Sequence, residues 1–223
     1  MIVFDLDGTL IDSSRDLAEA ASELVQEYGG PALSEADVVQ MVGEGAGVLV
    51  SRALAHAGID SPAPGALDRF LAIYDRRMFD HTVAYDGMPE VLALLTAHGP
   101  LAVLTNKPLA PAEDVLRHLG LRGFFSVVIG GDGPQPRKPD PTSLRRLMAS
   151  SPRGSVMIGD SPVDAETASA AGCPFILAGW GFGVAKFGGR VPASTRRADH
   201  PRELVSLPET RTFEAARVPI VMR

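Results

Sequence analysis

Five short apolar segments restrict the possible folds of this chain more than any other feature. They are IVF, LAVLT, VVI, VMI and FILA, at residues 2–4, 101–105, 127–129, 156–158 and 175–178. Continuous apolar runs of this length, bounded by glycine, proline or charged residues, are typical of strands buried on both faces of a parallel sheet. Helical patterns that end before a glycine lie between the later segments, at residues 89–98, 111–119 and 163–171. The alternation predicts an α/β fold with a doubly wound, Rossmann-like parallel sheet.

Residues 13–82 separate the first predicted strand from the second and are too many for a single crossover. They carry four helical patterns: one that ends at Gly29 and Gly30, one that opens with a capping box at 34–37, one at about 46–57 and one at about 64–79. We therefore predict a small α-helical cap domain at residues 13–82, inserted into a core domain formed by residues 1–12 and 83–223. The two linkers are predicted near residues 12–14 and 83–86.

Composition and charge exclude several function classes. The formal net charge is −6, whereas proteins that bind nucleic acid usually present a basic face. The segment from Lys186 to Arg223 carries eight basic and four acidic residues, and we interpret it as a solvated edge. No apolar run approaches the roughly 18 residues of a membrane span, and the N-terminus has no signal-peptide pattern. Since Cys173 is the only cysteine and is predicted to be buried, we expect a reduced, cytoplasmic protein without nucleic acid or membrane as a partner.

Polar side chains follow four of the five predicted strands. The first strand is followed by Asp5, Asp7, Gly8 and Thr9, the second by Thr105, Asn106 and Lys107, the third, several residues on, by Lys138, and the fourth by Asp160, Ser161 and Asp164. The carboxyl ends of parallel strands share one edge of the sheet, where ligands bind near the point at which the strand order reverses. Four carboxylates, three hydroxyls, an amide and two lysines are therefore expected at one edge, which predicts an active site.

Phosphoryl transfer is the chemistry that uses this set of side chains. Mg²⁺ prefers oxygen ligands and bridges one or two carboxylates to a substrate phosphate, and Asp5 and Asp160 can supply these carboxylates if their strands are neighbours. An aspartate can also attack phosphorus to form an aspartyl-phosphate, while Asp7 can protonate the departing alkoxide and then activate water. Four groups can hold or neutralise the phosphate oxygens: Thr105, Asn106, the backbone amide of Gly8 and Lys138.

Four segments resemble, in order, the four motifs of the haloacid dehalogenase superfamily. They are FDLDGTLIDS, LTNK, RKPDP and GDSPVDAETASAAG, and together they span residues 4–172. The resemblance implies a core sheet in the strand order 5-4-1-2-3, which would set Asp160 beside Asp5. It implies Asp5 as the nucleophile and Asp7 as the acid/base, with Thr105, Asn106 and Lys138 on the phosphate and on Asp5. It also implies four metal ligands: Asp5, Asp7 through its carbonyl oxygen, Asp160, and Asp164 in or just behind the metal shell.

Asp7 also separates branches of that superfamily. Its dehalogenases and phosphonate-cleaving members lack this aspartate and its ion pumps carry threonine there, so Asp7 indicates hydrolysis of a phosphate ester. Four further segments, MVGEGAGVLVSRALAHAG, YDGMPEVLALL, LTNKP and AGWGFG, resemble the phosphoglycolate phosphatase branch. The resemblance therefore implies a Mg²⁺-dependent phosphatase for a small phosphorylated metabolite, with 2-phosphoglycolate as the first candidate. We expect a monomer or a small homo-oligomer.

Three alternatives stay open at this point. One is a phosphatase for another small ester, such as a sugar phosphate. The second is a sugar-phosphate mutase, which the presence of Asp164 disfavours. The third is a binding module without catalysis, which the full set of site residues disfavours.

Several residues near the motifs have plainer interpretations. Asn106 and Lys107 precede a proline and can simply shape a turn, although Asn106 is the better candidate for a phosphate contact. The glycine-rich segment 43–47 either brings the insertion towards the substrate or only connects two helices. Arg52 is interpreted as a side chain on a solvated face, and Trp180 as a packing aromatic.

Overall fold

The structure is a computed structural model that describes residues 1–60, 63–151, 154–192 and 194–211. Its described strands are β1 (Ile2–Phe4), β2 (Ile11–Asp12), β3 (Val83–Ala84), β4 (Leu101–Leu104), β5 (Phe125–Ile129), β6 (Val156–Gly159), β7 (Phe175–Ala178) and β8 (Arg196–Ala198). Its described α-helices are α1 (Ser14–Glu27), α2 (Glu35–Val39), α3 (Ala46–His56), α4 (Ala66–Arg77), α5 (Met88–Leu95), α6 (Leu109–His118), α7 (Thr142–Ala149), α8 (Pro162–Ala171) and α9 (Pro208–Arg211). Short 3₁₀ helices lie at Arg122–Phe124, Phe182–Phe187 and Pro201–Ser206.

Six parallel strands form the main sheet, in the order β5–β4–β1–β6–β7–β8. All five strands expected from the apolar segments are present, and from β7 to β5 they follow the predicted order 5-4-1-2-3. Strand β8, which pairs with β7 at the sheet edge, is an addition that the apolar pattern does not predict. Arg196 and Arg197 are exposed and only Ala198 is buried, so this short edge strand leaves no apolar run in the sequence.

The predicted helices are present within a few residues of their expected bounds, including the four between β1 and β4. The expected cap of α2 forms, because the Ser34 hydroxyl accepts the N–H of Asp37 at 3.2 Å. Helix α7 is not predicted from the sequence. It is only eight residues long, and its fully buried large side chains are limited to Leu144 and Leu147, too few for a recognisable helical period.

The main sheet is buried on both faces, as the continuous apolar runs predict. On β1, Ile2 and Phe4 belong to the core on one face and Val3 to the core on the other, and all three are fully buried. Helices α5 and α6 contribute to the first core, and α7 and α8 to the second. With both faces covered, the carboxyl edge of the sheet is where polar side chains can meet a ligand.

Helices α1 to α4 form a layer in which α1 contacts each of the other three. Their buried side chains, including Leu24 and Phe70, belong to the same hydrophobic core as Ile2 and Phe4 of β1. The chain enters and leaves this layer through β2 and β3, which pair antiparallel, Ile11 with Ala84 and Asp12 with Val83. The two predicted linkers therefore lie side by side and are hydrogen-bonded to each other. The division of the chain into a cap at 13–82 and a core stays a prediction.

A buried carboxylate ties the first of these helices to the returning linker. Oδ2 of Asp16, in α1, accepts the N–H groups of His81 and Thr82 at 3.1 and 2.8 Å and the Thr82 hydroxyl at 2.7 Å. Buried polar groups are costly unless they are hydrogen-bonded, so three bonds to one oxygen strongly favour this arrangement. The start of α1 is thereby held against the segment that precedes β3.

The expectations drawn from composition have different outcomes. In the described part of the chain, no helix is long and apolar enough to cross a bilayer. Cys173 is buried, as predicted, and burial raises the pKa of its thiol to about 11. Lys186 is half-buried rather than solvated, and residues 212–223 of the basic segment lie outside the described residues. The cytoplasmic location and the oligomeric state stay predictions.

Candidate active site

A tight turn after β1 places the two aspartates of the first motif. The carbonyl oxygen of Leu6 accepts the N–H groups of the residues at positions 9, 10 and 11, at 3.2, 2.9 and 3.2 Å. Asp5 stays at the strand end, where its N–H donates to the carbonyl oxygen of Ile158 in β6 at 2.9 Å. Asp7 is carried into the turn, and its side chain is 13% exposed. The two carboxylates thus leave the same sheet edge and reach different partners.

Gly8 is the residue of this turn that leaves no room for a side chain. Its φ of +88° lies in the left-handed region that glycine adopts at little cost. A Cβ at this position would lie 2.0 Å from Oδ2 of Asp160. The N–H of Gly8 donates to the carbonyl oxygen of Ile11 at 2.9 Å, so the amide that we predicted to hold phosphate is used within the turn.

Gly8→Ala should destabilise the chain by about 3–5 kcal/mol, because it combines backbone strain with a clash against a buried carboxylate. Gly29→Ala is the matched control, since Gly29 has φ +83° and nothing within 4 Å of an added Cβ. Backbone strain alone should cost the control about 1–2 kcal/mol. The free energy of unfolding in urea measures both. Equal losses in the two variants would show that Asp160 does not press against the turn.

Lys138 joins two carboxylates in the interior of the site. Its Nζ lies 2.7 Å from Oδ1 of Asp5 and 2.6 Å from Oδ1 of Asp164. Asp164 is also the third residue of α8, and its other oxygen accepts the N–H and the hydroxyl of Ser161 at 3.1 and 2.6 Å. One aspartate therefore both caps a helix and pairs with the lysine, so the helix end and the ion pair fix each other's position.

Burial, together with the repulsion between neighbouring carboxylates, raises the pKa values of Asp5 and Asp160. Burial, and then the charge of Asp164, raises the pKa of Asp5 from 3.8 to about 7, although Lys138 pulls it down. Burial, followed by the charges of Asp164 and Asp5, raises the pKa of Asp160 well above its ordinary value. Burial alone would lower the pKa of Lys138, but the two aspartates that it contacts raise it above its ordinary value. The cluster thus holds more carboxylates than its lysine can neutralise, which favours a bound cation.

Asp160, at the end of β6, is packed against the backbone of a glycine-rich segment. Its Oδ2 accepts the N–H of Gly183 at 2.7 Å. A Cβ on Gly181 would come within 2.3 Å of the Asp160 Cβ, and one on Gly183 within 2.7 Å of Oδ2. Trp180, in the same segment, donates its indole N–H to the carbonyl oxygen of Thr9 at 3.1 Å, so it packs as predicted. The sequence analysis did not predict that these glycines pack against Asp160. The pattern that could have indicated it is the repeated glycine in the segment 179–183, directly after β7.

Asp7 faces a different set of partners. Its Oδ1 accepts the hydroxyl of Ser13 at 2.6 Å, and Nζ of Lys107 lies 3.0 Å from the same oxygen. Lys107 also donates to the hydroxyl of Tyr74, in α4, at 2.8 Å. Burial would lower the pKa of Lys107, but Asp7 and Tyr74 raise it above its ordinary value. The interpretation of Lys107 as a turn-shaping residue missed these contacts, because the partners lie 100 and 33 positions away.

Thr105 and Asn106 follow β4 and lie in the wall of a pocket next to the aspartates. The Thr105 hydroxyl accepts the N–H of Lys107 at 3.1 Å. The Asn106 amide donates to the carbonyl oxygens of Gly43 and Lys138, both at 2.9 Å, and accepts the Lys138 N–H at 3.0 Å. Asn106 therefore holds the backbone of the buried lysine and anchors the loop after α2. Its contact with phosphate stays a prediction.

The pocket has a volume of about 560 Å³, part of it open to solvent. Its polar side is formed by Asp5, Asp7 and residues 105–107. Its opposite side comes from helices α1, α3 and α4 and the loop after α2, and consists of Leu17, Val42, Gly43, Gly45, Ala46, Leu49, Phe70, Leu71 and Tyr74. The segment 43–47 thus brings the insertion to the site, which decides between its two interpretations. Arg52 is outside the lining and pairs with Glu44 at 2.6 Å on the surface, as its interpretation required.

Three carboxylates are close enough together to bind one metal ion. One oxygen each of Asp5, Asp160 and Asp164 lies within 4.8 Å of the other two, and all three residues are buried. A set of oxygen donors with excess negative charge suits a hard divalent cation such as Mg²⁺. The side chain of Asp7, the fourth predicted ligand, is not in this group, and a role for its carbonyl oxygen stays a prediction.

The parallel sheet with these acidic strand ends is the architecture of a known enzyme family. The sequence matches the family described as haloacid dehalogenase-like hydrolase over residues 2–178. This match covers more than half of the chain, so the protein belongs to that family, as the motifs predicted. The predictions that the chain is an enzyme and that it is a hydrolase are confirmed with it.

Similar proteins carry a more specific name. A phosphoglycolate phosphatase of Rhodospirillum rubrum is 41% identical over 192 residues, which are 81% of this chain and 80% of the relative. A phosphoglycolate phosphatase of Chromobacterium violaceum is 38% identical over 81% of this chain and 85% of the relative. A crystal structure from Haemophilus somnus 129pt, described as a predicted phosphoglycolate phosphatase, superimposes with a TM-score of 0.80 at 26% identity and covers 92% of this chain and 96% of that one. The resemblance to the phosphoglycolate phosphatase branch is thereby confirmed.

Proposed function

We propose that this chain hydrolyses a small phosphate monoester, with 2-phosphoglycolate as the first candidate, through an aspartyl-phosphate on Asp5. One observation carries the proposal: the buried cluster of Asp5, Asp160 and Asp164 around a shared site, with Asp7 and a partly open pocket beside it. Phosphoryl transfer depends largely on positioning and charge neutralisation. In this cluster Asp5 would position the attacking oxygen, and Lys138 together with a bound cation would neutralise charge. The relatives named phosphoglycolate phosphatases support the same substrate.

In the first half-reaction, a carboxylate oxygen of Asp5 attacks phosphorus and the bond from phosphorus to the ester oxygen breaks. Asp7 gives its proton to the departing alkoxide, which leaves as an alcohol. Lys138 holds Oδ1 of Asp5 at 2.7 Å and so fixes the direction of the attacking carboxylate. Positioning of this kind removes much of the entropic part of the barrier.

In the second half-reaction, Asp7, now a carboxylate, takes a proton from a water molecule whose oxygen attacks the aspartyl-phosphate. The bond from phosphorus to Asp5 breaks, inorganic phosphate leaves, and the carboxylate of Asp5 is restored. Ser13 and Lys107 contact Asp7 at 2.6 and 3.0 Å, and they keep its side chain in place for both steps.

Asp5, Asp160 and Asp164 would hold Mg²⁺ in this proposal. When bound, the ion neutralises charge on the carboxylates and on the phosphate and so reduces their mutual repulsion. Lys138 alone leaves the three carboxylates under-compensated, since burial and then the charge of Asp164 raise the pKa values of both Asp5 and Asp160.

Helices α1 to α4, the proposed cap at residues 13–82, select the leaving group and exclude water. They contribute mostly apolar side chains to the pocket, and among the described lining residues that they provide, only Tyr74 has a polar side chain. A sugar has many hydroxyl groups that need partners, so these walls favour a small leaving group over a sugar phosphate or a mutase substrate.

A screen for inorganic phosphate tests the proposal. The purified chain with Mg²⁺ should release phosphate from 2-phosphoglycolate with a higher kcat/KM than from glucose 6-phosphate or other sugar phosphates. The assay contains no sugar acceptor, so a mutase would release little phosphate and would become active only when a second sugar is added. Failure to release phosphate from any ester in the screen would contradict the proposal.

A further inference from the structure

Lys107 lies where the leaving group of a phosphate ester would be placed. Its Nζ is 3.0 Å from Oδ1 and 3.3 Å from Oδ2 of Asp7, and both residues line the pocket. In the proposed function, Asp7 protonates the ester oxygen of the leaving group. A cation in contact with Asp7 is therefore next to the atoms that directly follow that oxygen.

The remainder of the pocket offers an anion no second positive charge. Among the described residues that line it, Lys107 is the only one with a positive charge. The walls provided by the helices and by the loop after α2 are made of leucine, valine, alanine and phenylalanine side chains and glycine, with Tyr74 as the exception. A carboxylate placed against such walls would lose its hydration without compensation.

Tyr74 fixes the position of the ammonium group. Its hydroxyl accepts from Lys107 at 2.8 Å, and the same Nζ lies 4.5 Å from the centre of the Tyr74 ring. The ring is itself stacked on Phe70, with 6.0 Å between ring centres and 6° between planes. Lys107 follows β4 while Tyr74 belongs to α4, so the ammonium is pre-positioned by the helices that cover the pocket.

We propose that Lys107 is the specificity residue of this site and that it pairs with a carboxylate on the leaving group. The substrate class that fits is a short phosphorylated hydroxy acid, in which the carboxylate follows within a carbon or two of the ester carbon. A longer spacer would carry the carboxylate past Lys107 into the apolar walls. This inference rests on the proposed function and deepens it, because it names the group that distinguishes 2-phosphoglycolate from a neutral ester of the same size.

The test compares two esters of similar size, 2-phosphoglycolate and ethyl phosphate, whose leaving group ends in a methyl group instead of a carboxylate. Wild-type kcat/KM should be higher for 2-phosphoglycolate. Lys107→Met should lower the ratio of the two kcat/KM values about ten- to a hundredfold, mainly through KM for 2-phosphoglycolate, because a charged hydrogen bond is lost for that ester alone. If the substitution also disturbs Asp7, it should slow hydrolysis of both esters alike, so this effect cancels in the ratio of the two kcat/KM values.

Two variants serve as controls. Lys107→Arg keeps the positive charge and should retain a preference for 2-phosphoglycolate within about tenfold of wild type. Lys186→Met removes another partly buried lysine, one that donates to the carbonyl oxygen of Val42 and lines a neighbouring groove instead of this pocket. It should leave the ratio unchanged even if it slows both reactions, because Lys186 is not among the described residues that line the pocket.

Each outcome decides a different point. An unchanged ratio in Lys107→Met, with both rates lowered equally, would overturn the specificity role and leave the proposed function standing. Release of no phosphate from either ester by the wild type would overturn the proposed function and this inference together. If Lys107→Met does not fold, the wild type is assayed with a third ester, O-phosphoethanolamine, whose leaving group is cationic. Equal kcat/KM values for the anionic, neutral and cationic leaving groups would overturn the inference. A kcat/KM that falls from 2-phosphoglycolate to ethyl phosphate to O-phosphoethanolamine would support it.

Discussion

Asp5→Asn is expected to lower kcat for 2-phosphoglycolate by at least about 10⁴-fold while the chain stays folded. The amide is a poor nucleophile, so the acyl-phosphate cannot form, and no neighbouring carboxylate occupies the same place at the end of β1. Burial raises the pKa of Asp5 to about 7, which means that the folded chain disfavours the charged form. A neutral amide of the same shape should therefore be accommodated without loss of the fold. Phosphate release and thermal melting measure the two effects.

Asp132→Asn is the matched control for this variant. Asp132 follows β5 at the same sheet edge and accepts the N–H of Leu109 at 2.8 Å, but it is exposed and outside the acidic cluster. Its replacement should change kcat less than about threefold, as is usual for an exposed position. Rapid-quench mass spectrometry of the wild type should show phosphate on the peptide that contains Asp5. Turnover in Asp5→Asn comparable to wild type, or phosphate on a different peptide, would refute the nucleophile assignment.

Removal of divalent cations should abolish phosphate release, and addition of Mg²⁺ should stabilise the chain. At about a hundred times its dissociation constant, a ligand that binds only the folded state adds about 2.7 kcal/mol, or roughly 5–10 °C in melting temperature for a chain of this size. The ion replaces repulsion among Asp5, Asp160 and Asp164 with attraction, so Asp160→Asn should lose most of this response. Differential scanning calorimetry with Mg²⁺ and with excess chelator measures it.

The stability of the metal-free chain and its stabilisation by Mg²⁺ should both depend on pH, in opposite directions. The pKa of Asp5 is raised from 3.8 to about 7, so between these values the folded chain keeps a proton that the unfolded chain has lost. Without metal, stability should therefore fall as pH rises from about 4 to 7. Protons compete with the cation for the same carboxylate, so the Mg²⁺-induced rise in melting temperature should be larger at pH 8 than at pH 5.5. Full activity in excess chelator would contradict the metal role, and so would a Mg²⁺-induced rise in melting temperature in Asp160→Asn equal to that of the wild type. Asp132→Asn is the control and should show the same rise as the wild type.

The main sheet could be predicted because its signal is local. Each of the five buried strands is a continuous apolar run, and each run appears in the structure within two residues of its expected bounds. Strand β8 could not be predicted in this way, because Arg196 and Arg197 face solvent at the sheet edge. Helix α7 is similar, since eight residues with two large buried side chains do not establish a period. Elements without a buried apolar face carry little information in their own sequence.

In the candidate site, too, the sequence predicts some features and not others. Asp5, Asp7, Lys138, Asp160 and Asp164 could be placed at one edge from the sequence, because each follows a predicted strand and parallel strands end together. Asn106 could be placed at this edge in the same way, but its contacts could not be predicted, because its amide donates to the backbone carbonyl oxygens of Gly43 and Lys138. Those partners belong to loops whose course depends on how the helices rest on the sheet.

The sequence by itself determined the five buried strands and the acidic edge, because continuous apolar runs and the polar residues after them are local signals. Its four motifs indicated the family, and the strand order was an implication of that resemblance. Only the tertiary structure decided what surrounds Asp7. Lys107 meets Asp7 across 100 positions and Tyr74 across 33, and neither distance leaves a periodic trace in the sequence. Lys107 lies beside Asp7 because β1 and β4 are neighbours in the sheet, and it reaches Tyr74 because helix α4 packs over that edge. These contacts hold the single positive charge among the described residues that line the pocket.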